Sequence, residues 1–331
     1  MDEIITFGSA SRDVFMEPED ISIVKSRKFV SKEGICFNLG SKIGIKNIYF
    51  NSGGGGTNTA ATFANQGFKT AFVGTIGSDL AGEEVIKDLA ERKINLKFVL
   101  KTTKKPTNYS IILKTKKRAD RTILVFRGAS DLLTKEDINW NKIKRAKWFY
   151  LAPLSGKLAK ITKNIVDFAV DKRIKIAFNP GNDQLSLPKN VLRDIINKVD
   201  ILLLNQEEAA VLTKISYNKE REIFKKLDNI CPGIVIMTKG PDGAVVSDGK
   251  TLFSAPGIKT KTIDNTGAGD AFGSGFTAGF INSKGGIEEG IKLGLFNSIS
   301  CIRKLGAKEG LLRRGDKLKS VKIKKRVLFE A

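Results

Sequence analysis

The chain reads as an α/β protein, a three-layer α/β/α body with a mainly parallel central sheet that carries a small β-sheet lid. Three observations lead there. Runs at Trp148–Leu151, Ile174–Phe178, Ile201–Leu204 and Ile234–Met237 are strand-length and apolar at consecutive positions, as strands buried on both faces are. Helix-period segments at about 156–171, 188–198, 206–213 and 219–229 lie between them, and alternation at that pitch implies parallel strands covered by helices. Two stretches, 15–50 and 96–128, break the alternation with short β-branched runs and no helical period.

In chain order, Glu3 to Gly8 forms a buried strand running into a Gly-Ser turn. The spacing of small and apolar residues from Thr57 to Asn65 predicts a helix, followed by a strand from Thr70 to Gly74. Asp79 is placed to cap the next helix, with Glu83 and Glu84 in its first turns and its end near Arg92. Tyr109–Leu113 and Thr122–Phe126 read as strands that pair with those of the earlier interrupting stretch into a small antiparallel sheet. The body then comprises 1–14, 51–95 and 129–331, and the lid 15–50 and 96–128. No repeat or long linker divides the chain.

Composition narrows the chemistry. Among 331 residues there is no histidine, which excludes a Ser-His-Asp triad, a Cys-His pair, an HExxH zinc site and a phosphohistidine relay. Proton transfer near neutral pH falls to Asp, Glu, Lys, Tyr or Cys in a tuned environment. Cys36, Cys231 and Cys301 lie far apart without a CxxC pair and read as reduced, mostly buried thiols. Asp2 and Glu3 stand where a signal peptide needs cations, and the longest apolar runs are far short of a membrane span, so a soluble, cytoplasmic protein is expected.

Lys+Arg 57 against Asp+Glu 35 leaves a net charge of +22. Lysines occur in nearly every segment, with peaks at 96–129 (Lys97, Lys101, Lys104, Lys105, Lys114, Lys116, Lys117, Arg118, Arg121 and Arg127 against Asp120) and at 313–331. The aromatics are mostly Phe inside apolar runs rather than interleaved with the basic residues, so the surplus reads as a solvated surface and no nucleic acid is expected as partner. Steering of an anionic ligand remains open to it.

The most specific segment is Asp264-Asn265-Thr266-Gly267-Ala268-Gly269-Asp270, leading into Ala271-Phe272-Gly273-Ser274-Gly275-Phe276-Thr277-Ala278-Gly279-Phe280. Small residues at Gly267, Ala268 and Gly269 let backbone N–H groups point outward at a helix start, an anion hole suited to phosphate. Asp270 sits on the first turn beside it, placed to accept a proton from an alcohol. A glycine-rich turn with an ordinary first-turn acid is the simpler alternative, but the length of the string argues against it. Gly273, Gly275 and Gly279 weaken the helix unless it packs closely on a neighbour or ligand.

A second cluster, Gly53-Gly54-Gly55-Gly56-Thr57-Asn58-Thr59-Ala60, places four glycines before a helix start. Asn58 offers both a donor and an acceptor to a hydroxylated ligand, and equally serves as a helix cap in a flexible loop. Gly249-Lys250-Thr251 is not a Walker A loop, because the required first glycine falls on Ala244 and no helix pattern follows. Neither glycine cluster satisfies GxGxxG, and Arg314-Gly315-Asp316 means nothing without an export signal.

With these motifs in place, the chain resembles the PfkB, or ribokinase-like, family of sugar and nucleoside kinases. Asp264 to Asp270 is similar to the family's C-terminal signature and Gly53 to Ala60 to its N-terminal one. Gly8-Ser9 with Asp13 resembles its first sugar-binding loop, and Asn179-Pro180 ends a strand as in the family. Asn205-Gln206-Glu207-Glu208 fits its NxxE motif, Thr238 to Gly243 its TxGxxG nucleotide loop, and Gly306-Ala307 the segment near its C-terminus. The likeness covers about the whole chain.

The resemblance implies a ribokinase-like fold and an ATP-dependent carbohydrate kinase that moves the γ-phosphoryl group to a hydroxyl, a hydroxymethyl in the family's manner, of a small sugar. It implies Asp270 as the base and Gly267, Ala268 and Gly269 as the anion hole. Asp13, Gly54 and Asn58 would grip the sugar. Asn205, Thr238, Gly240, Gly243 and Asn297 would lie around the nucleotide. Glu208 would orient Mg²⁺ through water, and Asp264 and Thr266 would lie near the K⁺ site that many relatives have. A homodimer built through the lid is common in the family, and neither a membrane nor a nucleic acid is implied.

The sequence departs from the family's pattern in places. Asn265 stands where many relatives have Thr, and Ala152-Pro153-Leu154-Ser155 lacks the Glu that ribokinases place after that strand. Arg121 and Arg127 reach toward an acidic or phosphorylated substrate or, the simpler reading, are solvated cross-strand cations. A nucleoside kinase of the same fold is the alternative, with Phe37 or Tyr109 as purine-stacking candidates. A nucleic-acid-binding protein using the +22 is the weak alternative from another class.

Overall fold

A computed structural model describes residues 2–29, 32–114 and 121–328. Lys116, Lys117, Arg118 and Asp120 of the first basic peak, and residues 329–331 of the second, lie outside the described residues.

The body is built on a ten-stranded sheet. Its order is Lys324–Val327, Thr251–Pro256, Gly243–Ser247, Ile234–Thr238, Ile201–Asn205, Lys175–Phe178, Trp148–Leu151, Ile4–Phe7, Thr70–Gly77 and Val99–Thr102. The seven strands from Ile234–Thr238 to Val99–Thr102 run parallel, and the first three extend the sheet antiparallel. Ile4–Phe7 at the centre is buried at every position, which explains its unbroken apolar run. One core cluster includes Ile5, Phe7, Phe149, Leu151, Leu202 and Val235. Another includes Tyr150, Leu203, Ile236, Phe272 and Phe276, so alternate residues of the same strands feed opposite faces.

A second sheet stands apart from this one, in the order Ile45–Gly53, Ser11–Pro18, Asn108–Lys114 and Arg121–Phe126. A hairpin of Ser22–Lys25 and Glu33–Cys36 accompanies it. Its central pair is parallel, with Asp13 level with Ser110, whereas its outer pairs are antiparallel. The expectation of an antiparallel sheet is therefore corrected. Ser11–Pro18 and Asn108–Lys114 both leave the body, and no tight turn joins them to impose the antiparallel sense. The sheet also reaches inward to Ser11 and Gly53, while Val99–Thr102 stays in the main sheet beside Thr70–Gly77. Thr102 is itself the partner of Gly77, and that pairing holds Val99–Thr102 to the body.

Local chemistry accounts for the helix ends. Asp79 Oδ1 accepts from Gly82 N at 2.9 Å and caps Leu80–Glu91, worth about 1 kcal/mol. The same carboxylate accepts from Thr107 N and Oγ1 at 2.9 and 2.6 Å, tying the helix to the approach to the small sheet. The expected helix over 156–171 is two pieces, Lys157–Lys160 and Thr162–Asp171, with Ile161 between them. Cys231 and Cys301 are buried, but Cys36 is exposed on the hairpin. No helix among the described residues is long and apolar enough to cross a membrane.

Gly273, Gly275 and Gly279 find their reason in neighbours. Their helix, Ala268–Asn282, packs on Ile287–Ile302 so closely that a Cβ on Gly275 would stand 3.1 Å from Gly294 Cα. One on Gly279 would stand 2.7 Å from Glu289 O. At Gly273 the obstacle is the Tyr150 hydroxyl, 2.3 Å from the position a Cβ would take.

Candidate active site

Parallel α/β sheets gather loops at the carboxyl ends of their strands, and both glycine-rich segments meet there. The first helix, Gly55–Asn65, starts after Gly54, whose φ of 97° suits glycine. Gly56 lies against Gly8, where a Cβ would overlap the Gly8 backbone, so the four glycines serve close packing as well as turning. The other helix, Ala268–Asn282, starts after Gly267 at φ 77°, and a Cβ on Gly267 would stand 2.4 Å from Ala307 Cβ.

The two helix starts are joined by one contact. Asn58 Nδ2 donates to Asp270 Oδ2 at 2.9 Å, while Asn58 Oδ1 is buried without a hydrogen-bond partner. Burial pushes the Asp270 carboxyl above the usual carboxylate range. The Asn58 amide opposes that shift, the negative charge of Asp13 adds to it, and Lys308 opposes it. Asp270 therefore sits in an environment suited to a proton acceptor. Beneath it, the fully buried phenol of Tyr150 is held far above its ordinary pKa by burial and by the Asp270 charge. Its hydroxyl has no partner.

Around Gly267 to Asp270 the backbone donors are unevenly used. Ala268 N donates to Asn265 O at a long 3.3 Å, and Ala271 N donates to Gly267 O at 2.8 Å. Gly269 has nothing within 4 Å of where a side chain would be, so the space above the helix start is open. A helix N-terminus facing open space is an anion site in electrostatic terms.

Asp13 is buried on the small sheet, opposite Asn51 on one neighbouring strand and Ser110 on the other. Ser11 Oγ donates to Asp13 Oδ1 at 2.8 Å. Burial raises the Asp13 pKa, against the hydroxyls of Ser11 and Ser110 and the charge of Lys308. Gly53 is pressed on this carboxylate, since a Cβ there would fall 2.0 Å from Asp13 Oδ2. Gly54 follows directly, its Cα against the backbone of Ser9 and Ala10.

The remaining sequence candidates divide. Asn205 and Thr238 lie level on adjacent parallel strands, so the two motifs share one edge of the sheet. Asn205 Oδ1 accepts from Glu208 N and Glu208 Oε2 from Asn205 N, both at 2.8 Å, a reciprocal cap for Gln206–Thr213. Burial raises the Glu208 pKa. Gly240 and Gly243 have φ of 53° and 97°, turning the chain from Ile234–Thr238 into Gly243–Ser247.

Asn297 sits inside the helix layer. It is wholly buried between helices, its Nδ2 donating to Ala271 O at 2.8 Å and Thr62 Oγ1 at 3.3 Å. Its Oδ1 accepts from Leu312 N at 2.9 Å.

Asp264 is buried. Its Oδ1 accepts from Thr266 N and Oγ1 at 3.0 and 2.8 Å, and its Oδ2 from Gly306 N at 3.0 Å. The Cys301 thiol, a weak donor, faces the carbonyls of Thr266 and Ala307. Arg127 is drawn to Asp183 at 3.8 Å, and Asp183 also accepts from Gly156 N.

Lys308 escaped the sequence reading. It is a buried cation bonded to Ser52 and Asp88, and one-dimensional sequence has nothing to separate it from the other basic residues. Only its place after Gly306-Ala307 was a signal.

Comparison with known proteins follows the same lines. Residues 4–311 match the model of the pfkB family carbohydrate kinase. A sugar kinase of Archaeoglobus fulgidus, described as uncharacterized, is 28% identical over 250 residues, covering 76% of this chain and 98% of that protein. A ribokinase of Lactococcus lactis is 28% identical over 306 residues, covering 90% of this chain and 94% of that one. The structure of Arabidopsis thaliana ribokinase complexed with ribose and ATP superposes with a TM-score of 0.76 at 19% identity, covering 95% and 96% of the two chains.

Proposed function

The chain belongs to the pfkB family of carbohydrate kinases, and from that premise we propose that it transfers the γ-phosphoryl group of ATP to a hydroxymethyl group of a small sugar, with Asp270 as the base. The observation that carries this reading is the Asn58–Asp270 contact, which sets a buried carboxylate beside a buried, unpartnered amide oxygen. A sugar hydroxyl supplies the donor that Asn58 Oδ1 lacks, which brings a second hydroxyl to Asp270.

Each residue has one task in this reading. Asp13, held by Ser11 and Ser110, accepts from sugar hydroxyls, and the Gly54 backbone closes against them. Asp270 takes the proton of the attacking hydroxyl. The N–H groups of Gly267, Ala268 and Gly269 face the transferred phosphoryl group, with Ala268 exchanging its long bond to Asn265 for an oxygen of the phosphate. Such positioning and charge stabilisation suffice for phosphoryl transfer, so the absence of histidine is no obstacle.

Thr238, Gly240 and Gly243 border the nucleotide, with Asn205 at the same sheet edge. Among the described residues there is no cluster of three or more Asp, Glu or Cys ready to hold a metal. Glu208 would hold Mg²⁺ through water beside the phosphates. When bound it neutralises phosphate charge. The Asp264 carboxylate and the weakly used carbonyl of Thr266 form an oxygen-rich donor set suited to K⁺.

The small sheet acts as a lid over the sugar. Tyr49, Phe50, Leu124, Val125 and Phe126 are exposed on it, an apolar surface that a second copy of the chain would cover to form a homodimer.

A coupled ADP-release assay with MgATP and a panel of D-ribose, D-fructose, fructose 6-phosphate, a 2-keto-3-deoxy sugar acid, adenosine and cytidine tests the reading. Turnover with a sugar is expected. Turnover with a nucleoside alone replaces the acceptor class, and no acceptor-stimulated turnover overturns the proposal.

A further inference from the structure

Gly306, Ala307 and Lys308 touch several walls of the cleft in three consecutive residues. Gly306 N donates to Asp264 Oδ2 at 3.0 Å, and a Cβ on Gly306 would stand 2.6 Å from Asn51 Nδ2. Ala307 lies against Gly267, the residue that starts the helix bearing Asp270. Lys308 is only 3% exposed and donates from Nζ to Ser52 Oγ at 2.7 Å and to Asp88 Oδ2 at 2.8 Å. Asp88 Oδ1 accepts from Arg92 Nε at 2.8 Å, and Arg92 continues to Glu309 at 2.9 Å. A buried ammonium carries a desolvation cost, offset here only because both of its acceptors are held in place.

The far end of this arrangement is the strand Ile45–Gly53. Asn51 pairs with Asp13, Ser52 with Arg12, and Gly53 is packed on the Asp13 carboxylate. Any displacement of Ser52 is therefore passed to Asp13 through the strand pairing and through Gly53. On the other side, displacement of Ala307 is passed to Gly267.

We propose that residues Gly306 to Lys308 form a bracket that sets the sugar-gripping strand relative to the anion hole, with Lys308 as the positioning residue that locks it through Ser52. The bracket rests on the reading of Asp13 as a sugar ligand and extends it to a residue that touches neither sugar nor nucleotide. Asp88 anchors the lysine from the helix Leu80–Glu91, so sheet, helix and C-terminal segment meet at one ammonium group.

The test compares Ser52→Ala, the double variant Lys308→Met with Asp88→Asn, and Asp13→Asn, using MgATP and the panel member with the highest turnover. Ser52→Ala removes one acceptor and leaves the ion pair. The double variant removes both charges together, because Lys308→Met alone leaves the half-buried Asp88 carboxylate with Arg92 as the one remaining cation of the pair. Thermal unfolding establishes that each variant is folded.

The expected result is a sugar KM raised about fivefold or more in Ser52→Ala and about tenfold or more in the double variant, with kcat within about threefold and the ATP KM unchanged. Wild-type sugar KM in both variants overturns the bracket, as does a parallel loss in sugar KM, ATP KM and kcat. Where the double variant does not fold, Ser52→Ala decides alone. Unchanged sugar KM in Asp13→Asn overturns the sugar-ligand reading itself, and the bracket with it. A raised KM there, with wild-type values in the other variants, overturns the bracket only.

Discussion

Asn58 and Asp270 stand 212 residues apart in the chain, yet the Asn58 amide donates to the Asp270 carboxylate at 2.9 Å across the meeting of two helix N-termini. The contact orients the carboxylate, lowers its proton affinity against the effect of burial, and leaves the amide oxygen buried without a partner.

Replacing the base comes first. Asp270→Asn keeps the shape and the hydrogen-bonding capacity of the site but cannot take a proton. Turnover is expected to fall by about 10²-fold or more, with ATP affinity by calorimetry unchanged. Near-normal turnover removes Asp270 from the mechanism.

Asn58→Ala tests the pairing through pH. Burial raises the Asp270 pKa and the Asn58 donor lowers it, so removing the donor raises it further. A base must be ionised, and activity is lost as pH falls through its pKa. The acid limb of the kcat–pH profile is therefore expected at higher pH in Asn58→Ala than in the parent chain. An unmoved limb separates Asn58 from the base.

Gly273 and Tyr150 offer a packing test. A Cβ on Gly273 would stand 2.3 Å from the Tyr150 hydroxyl and 2.5 Å from Leu203 Cδ2, so Gly273→Ala is expected to cost about 1–3 kcal/mol. Tyr150→Phe removes a buried hydroxyl that has no partner and is expected to be neutral or stabilising in urea unfolding. Combined with Gly273→Ala it recovers part of the loss. Equal losses in the single and double variants contradict the clash.

Asp228, far from the site, gives a stability prediction with a sign. Burial pushes its carboxyl up to about 6, against the Ser247 hydroxyl that donates to it at 2.7 Å. A raised acid favours the fold most below the unfolded value, and that contribution is lost as pH rises through about 6. Asp228→Asn is expected to be more stable than the parent by about 1 kcal/mol at pH 8, allowing for partial exposure, with the advantage shrinking toward pH 4. Thermal unfolding across that range checks it, and a pH-independent difference refutes it.

The exposed apolar side chains of the small sheet give the last prediction. Light scattering is expected to report twice the chain mass, and Leu124→Asp, at a half-exposed position, to return the monomer. A monomer in the parent chain leaves that surface to another use.

Much of this architecture was legible along the chain. Strands buried on both faces, such as the one through Ile201, Leu202, Leu203 and Leu204, leave unbroken apolar runs, and the cap at Asp79 is local chemistry. The two glycine-rich segments also announced themselves, because close backbone approach at a helix start excludes most side chains. Local signals misled where partners are remote. Val99–Thr102 looked like part of the lid because pairing to Thr70–Gly77 leaves no trace in its own residues.

Composition and motif spacing were thus enough to assign the layers and the helix starts, since those depend on periodicity and on residues adjacent in sequence. The parallel sense of the small sheet's central pair, the Asn58–Asp270 contact and the burial of Lys308 among so many solvated cations came only with three-dimensional packing. Each is a relation between segments that the chain brings together after long separations. The desolvation that gives these groups their chemistry exists only once the surrounding core has closed.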